Sequence, residues 1–139
     1  MHAEIYRTRS EDETIALGQT LATKLPDGVV LLIGNLGAGK TTMVKGIVSG
    51  RGAAPIEEVS SPTFALVHEY GRVYHIDLYR LETEREVEGL GLEELFETGE
   101  LVLIEWGERF PRLMPSRRTE IRLDTRSDDV REIRIRYRE

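Results

Sequence analysis

The chain has 139 residues, no cysteine, and 25 acidic against 19 basic side chains, for a formal net charge of −6. That length supports one domain with a real core but leaves little room for a lid or a separate substrate domain. The missing cysteine excludes a disulfide scaffold, a disulfide partner and thiolate metal sites, and the acidic balance argues against a general nucleic-acid binder.

The N-terminus, Met1-His2-Ala3-Glu4, lacks the basic and apolar regions of a secretory signal. Residues 4–8 alternate weakly and read as a short strand. Ser10-Glu11-Asp12-Glu13 is a capping-box signature, with Ser10 as N-cap and Glu13 three positions on. The helix it opens carries Leu17, Leu21 and Leu25 on one face and is expected to stop at Pro26-Asp27-Gly28. Val29–Ile33 is the longest aliphatic run, long enough for a buried strand and far too short to cross a bilayer. A cytoplasmic protein with no membrane partner is expected.

The centre of the chain is Gly34-Asn35-Leu36-Gly37-Ala38-Gly39-Lys40-Thr41, followed by a helical pattern over residues 40–49 with Met43, Val44, Ile47 and Val48 on one side. Strand, Gly-x-x-x-x-Gly-Lys-Thr and helix together make a P-loop. The glycines let backbone N–H groups of residues 36–41 wrap a β-phosphate, and the helix N-terminus adds its positive end. Lys40 would reach the β- and γ-phosphate oxygens, and the Thr41 hydroxyl would be a magnesium ligand.

A loop at residues 49–55 leads to Val59-Ser60-Ser61-Pro62-Thr63-Phe64. Hydroxyls flanking a proline there read either as a switch that senses the γ-phosphate or as a turn bonded to its own backbone. Residues 64–70 and 73–78 form two strand-like runs around Gly71-Arg72, a tight hairpin. The second run holds His75-Ile76-Asp77, where Asp77 could face a metal or attacking water, or could cap a helix. His68 and His75 read as ordinary strand residues, since no partner spacing accompanies them. Residues 82–88 form an acidic helix broken by Gly89-Leu90-Gly91, and Leu92, Leu95 and Phe96 open a further short one.

Leu101-Val102-Leu103-Ile104-Glu105-Trp106 is a second buried strand ending in a carboxylate, a Walker-B-like arrangement with glutamate in place of the more usual aspartate. Glu105 is the candidate for coordinating magnesium, Trp106 is expected beside the site, and Glu108 is a weaker candidate. The tail reads as a hairpin, with residues 120–124 alternating, a turn at Ser127-Asp128-Asp129, and Ile133, Ile135 and Tyr137 lining one face. From residue 109 onward ten basic residues face six acidic ones, read as a solvated surface. These elements predict an α/β, P-loop NTPase-like fold, a mixed sheet flanked by helices with β-hairpins, as a single domain over residues 1–139.

The P-loop with Thr42, then Ser61-Pro62-Thr63-Phe64, then Tyr74-His75-Ile76-Asp77-Leu78-Tyr79-Arg80, then Ile104-Glu105-Trp106 follow one another in an order and spacing that resemble the TsaE (YjeE) family. That is the small ATPase of bacterial threonylcarbamoyladenosine tRNA modification, and the likeness spans about residues 10–115. Asn35 departs from the aspartate common there, at a position that contributes mainly backbone. The resemblance implies ATP with Mg²⁺ as the nucleotide, bound by Asn35, Leu36, Gly37, Ala38, Gly39, Lys40, Thr41, Thr42 and Thr63. It implies magnesium ligation by Thr41 and Glu105, a switch role for Thr63, and assistance from Asp77. It also implies TsaB and TsaD as partners, with tRNA met indirectly through their complex, and ATP hydrolysis that resets or activates that complex. Lys40, Asp77 and Glu105 are then the catalytic candidates.

Two other functions fit a P-loop. A small-molecule kinase needs an acceptor pocket and a lid, for which this chain offers little length. A GTPase needs the Asn-Lys-x-Asp guanine signature, which is impossible because Asn35 is the only asparagine.

Overall fold

The computed structural model describes residues 2–60 and 66–139. Seven strands form one mixed sheet: β1 (His2–Thr8), β2 (Val29–Ile33), β3 (Val67–Tyr70), β4 (Val73–Asp77), β5 (Leu101–Glu105), β6 (Arg118–Thr125) and β7 (Arg131–Arg138), in the order β1-β7-β6-β2-β5-β4-β3. Strands β6, β2, β5 and β4 are parallel neighbours, and antiparallel β7–β1 and β3 extend the sheet on either side. β2 and β5 are buried at every position, which explains their continuous aliphatic runs: a central parallel strand is covered on both faces.

Helices α1 (Glu11–Ala22) and α2 (Lys40–Gly50) cover one face, packing Leu21, Met43, Val44, Ile47 and Val48 on Val30, Leu32, Leu103 and Ile121. The short helices α3 (Glu84–Glu88) and α4 (Leu92–Glu97), with Phe110 and Met114, cover Val29, Leu31, Val102 and Ile104 on the other. Each of these apolar side chains stabilises the fold by about 1.5–3 kcal/mol on burial.

Both expected hairpins form. Tyr70 pairs with Val73 across a two-residue turn, where Gly71 takes a φ of 58° that a primed turn demands. Ser10 caps α1 by accepting the Glu13 N–H at 3.0 Å, but the Glu13 carboxylate reaches back to the Arg9 N–H at 2.8 Å. The reciprocal half of the cap is therefore displaced by one residue. α1 ends at Ala22, earlier than the proline predicts. Leu25 still buries its side chain, and its N–H bonds to the Leu21 carbonyl at 2.9 Å. Pro26 disfavours helical dihedrals at the residue before it, so the chain leaves the helix without exposing Leu25.

Much of the arginine excess of the tail is paired internally. Glu132 accepts from Arg7, Arg126 and Arg134, and Glu120 from Arg118 and Arg138.

Candidate functional site

The loop between β2 and α2 lies at the carboxyl end of the parallel strands, where open α/β sheets place their ligands. Gly34 is required by space: a Cβ there would stand 2.6 Å from the Leu123 carbonyl oxygen of β6. Gly37 and Gly39 are required by conformation, with φ of 82° and 103°. Ala38 tucks its methyl into the core, its N–H bonding to the Asn35 carbonyl at 3.0 Å, whereas Leu36 is 73% exposed at the rim. Ser10 and Thr83 cap α1 and α3 with their side chains, but Gly39 offers α2 no such cap and no acidic residue occupies its first turn. The N–H groups there are left for an anion.

Lys40, 5% exposed, donates from Nζ to the Gly34 carbonyl at 2.7 Å and holds that nitrogen 3.2 Å from the centroid of the Trp106 ring. Burial pushes its pKa down, against the opposing charges of Glu105, Glu108 and Asp77. Trp106, the one non-glycine residue with positive φ among the described residues (69°), turns its ring under Lys40 and against Tyr79, 5.3 Å between centroids. That backbone costs about 1–3 kcal/mol.

Asp77 and Glu105 are register neighbours at the ends of β4 and β5 and therefore face the same side. Thr41 Oγ1 lies 3.1 and 2.9 Å from the two oxygens of Glu105, which is 3% exposed. Asp77 does not cap a helix: α3 begins with Thr83 as its cap, and Asp77 Oδ1 accepts the Tyr79 N–H at 2.9 Å. Glu108 lies just beyond, its Oε1 buried without a hydrogen-bond partner among the described residues and its pKa raised by burial. Thr63, with the rest of the Ser61-Pro62-Thr63-Phe64 motif, lies outside the described residues.

A cleft of about 450 Å³ joins these groups, lined by Lys40, Thr41, Asp77, Glu105, Trp106 and Leu36 together with Ser10 and Glu11 at the start of α1 and Asp128, Asp129 and Arg131 around the β6–β7 turn. Arg131 ties the β6–β7 turn to the P-loop by donating to the Gly37 carbonyl at 3.4 Å. Periodicity reads Ser10 only as a cap and Arg131 only as a surface residue, and nothing local announces their place in the cleft. His75 was also missed as a site residue. It is fully buried, with Nε2 2.6 Å from Glu105 Oε2. The available signal is its period-two relation to Asp77, which puts both on one face of β4.

Thr41 and Glu105 offer two converging oxygen donors, and among the described residues no group of three or more His, Cys, Asp or Glu could form a protein cage for a metal. That donor set fits magnesium, which binds through one or two protein oxygens, waters and substrate phosphates.

Residues 8–133 match the family described as threonylcarbamoyl adenosine biosynthesis protein TsaE. The chain belongs to the TsaE family. The tRNA threonylcarbamoyladenosine biosynthesis protein TsaE of Bacillus subtilis is 41% identical over 133 residues, covering 92% of this chain and 82% of that one. The protein of the same name from Treponema pallidum is 40% identical over 133 residues, covering 92% and 96%. That from Nostoc is 48% identical over 110 residues, covering 73% and 66%. The crystal structure of Bacillus subtilis YdiB matches with a TM-score of 0.80 at 31% identity, over 99% of this chain and 87% of that one. The mixed sheet flanked by helices is thus a TsaE-family P-loop fold, and the family is one of tRNA modification. Among the described residues no helix is long and apolar enough to cross a membrane.

Proposed function

We propose that this protein is a Mg²⁺-dependent ATPase of the cytoplasm that supports threonylcarbamoyladenosine modification of tRNA together with TsaB and TsaD, meeting tRNA through that complex. The observation that carries the reading is the convergence of the Lys40 ammonium, the Thr41 hydroxyl and the Glu105 carboxylate beside the uncapped N-terminus of α2.

Residues 35–42 cradle the phosphates, with backbone N–H groups doing most of the contact. To reach the phosphate oxygens, Lys40 exchanges the Gly34 carbonyl for them while its stem stays against Trp106. Thr41 and Glu105 would hold Mg²⁺, which supplies charge neutralisation on the phosphates when bound. Asp77, beside Glu105 in register, faces the same space and orients the attacking water, with Glu105 as the other group able to do so. Thr63 belongs to the switch. The nucleoside end lies toward Ser10 and Arg131, where the cleft continues. A group that stabilises negative charge in the transition state comes from Arg80 or from a partner, and the second source makes the isolated protein slow. Residues 1–139 act as one P-loop ATPase domain.

The test is ATP hydrolysis by the purified protein with and without TsaB, TsaD and tRNA, with GTP and small-molecule phosphate acceptors as controls. Slow hydrolysis that rises with the complex is expected. Phosphate transferred to an acceptor, indifferent to the complex, would replace this reading by a kinase.

A further inference from the structure

β4 buries a histidine where an aliphatic residue would fill the space at lower cost. His75 is completely buried and lies opposite Leu103 of β5, with Val73, on the same face, packed in the core. Nε2 reaches Glu105 Oε2 at 2.6 Å, while Nδ1, buried, meets no hydrogen-bond partner among the described residues. A desolvated polar atom without a partner opposes folding, so filling the core does not by itself account for a histidine here. What the imidazole does is hold Glu105.

Glu105 needs holding. The Thr41 hydroxyl lies within reach of both carboxylate oxygens and has one hydrogen to give, so it does not select between them. A carboxylate can only accept, which makes His75 Nε2–H the donor and ties down Oε2. Oε1 is the less engaged oxygen, 3.1 Å from Thr41 Oγ1 against 2.9 Å for Oε2. We propose that His75 is a positioning residue: its Nε2–H fixes the orientation of the Glu105 carboxylate against Thr41, so that this pair is already arranged for a nucleotide-bound cation. The proposal rests on the reading of Thr41 and Glu105 given above and adds the group that orients them, in the manner of outer-shell partners of metal sites.

His75→Leu and His75→Gln test it, since Gln keeps an N–H donor at similar reach and Leu does not. The readouts are chemical unfolding, ATP affinity by calorimetry in EDTA and in Mg²⁺, the split between kcat and KM, and the ¹⁵N-edited imidazole spectrum without nucleotide. His75→Leu should still fold, with a lower urea midpoint because the buried Glu105 carboxylate loses a donor, and should bind ATP equally in EDTA. It should lose about 10- to 100-fold in the magnesium-dependent part of binding or in kcat, and His75→Gln should recover most of that. The spectrum should show a hydrogen-bonded Nε2–H signal that Glu105→Ala shifts. A His75→Leu protein that fails to fold, loses affinity equally in EDTA, or keeps its magnesium response would overturn the proposal. So would failure of Gln to rescue, or an imidazole signal indifferent to Glu105→Ala. A parent protein with no magnesium-dependent ATP binding would instead remove the cation reading of Thr41 and Glu105, and the spectrum would still decide whether His75 holds the carboxylate.

Discussion

Lys40 holds its charge between the Gly34 carbonyl and the face of Trp106, with the N–H groups of the P-loop close by. Removing it takes away the one side-chain cation of the P-loop motif. Lys40→Ala should weaken ATP binding at least about tenfold, the equivalent of about 1.4 kcal/mol, and abolish turnover, read by calorimetry and phosphate release. Glu105→Ala should behave differently, keeping most ATP affinity in EDTA while losing metal-dependent hydrolysis. Normal hydrolysis by that variant would remove Glu105 from the mechanism. Glu132, next in sequence to the cleft-lining Arg131, gives a pH signature. Hydrogen bonds from Arg126 first and Arg134 next hold its carboxyl down to about 2 from an ordinary value of 4.5. A carboxyl whose folded pKa is depressed stabilises the fold fully above its unfolded value, and that contribution is lost as pH falls from about 4.5 to about 2. Glu132→Gln should therefore lower the melting temperature at pH 7, with the difference from the parent closing as pH approaches 2.

At the scale of elements, the closest packing lies between α1 and α2. A Cβ on Gly18 would stand 2.8 Å from the Met43 carbonyl oxygen, one on Gly50 would stand 2.6 Å from that of Gln19, and one on Gly46 would collide with that of Ile15. Alanine is the better helix former by about 1 kcal/mol, but overpacking costs about 1–3 kcal/mol and here meets rigid backbone. Gly46→Ala should be net destabilising, seen as a lower urea midpoint with an unchanged slope. The helical stripes were legible because burial on one face imposes a 3.6-residue period, and the central strands because burial on both faces imposes an aliphatic run. The crossing distance of the two helices was not legible. A glycine within a helix reads as a weakness in the sequence, and only the neighbouring helix shows that it is a point of contact.

At the scale of the molecule, the cleft draws its walls from the start of α1, the P-loop, the ends of β4 and β5 and the β6–β7 turn. A ligand that binds there ties together segments from both ends of the chain and is present only in the folded state. Mg²⁺–ATP at 100 times its Kd should stabilise the protein by about 2.7 kcal/mol, measured as a rise in melting temperature that EDTA reduces. The sequence by itself determined whatever local chemistry encodes: the phosphate loop from its glycines and Lys40-Thr41, the helices from caps and periods, two strands ending in carboxylates, and the TsaE motifs in order. The tertiary structure alone decided which of these groups meet. Thr41 and Glu105 are 64 positions apart and touch because β2 and β5 are hydrogen-bonded neighbours. His75 reaches Glu105 because β4 pairs with β5 in one particular register. The hairpins are marked by their turns, but parallel pairing is made by backbone groups that every residue carries, so which of these strands are neighbours follows from the packing of the whole sheet.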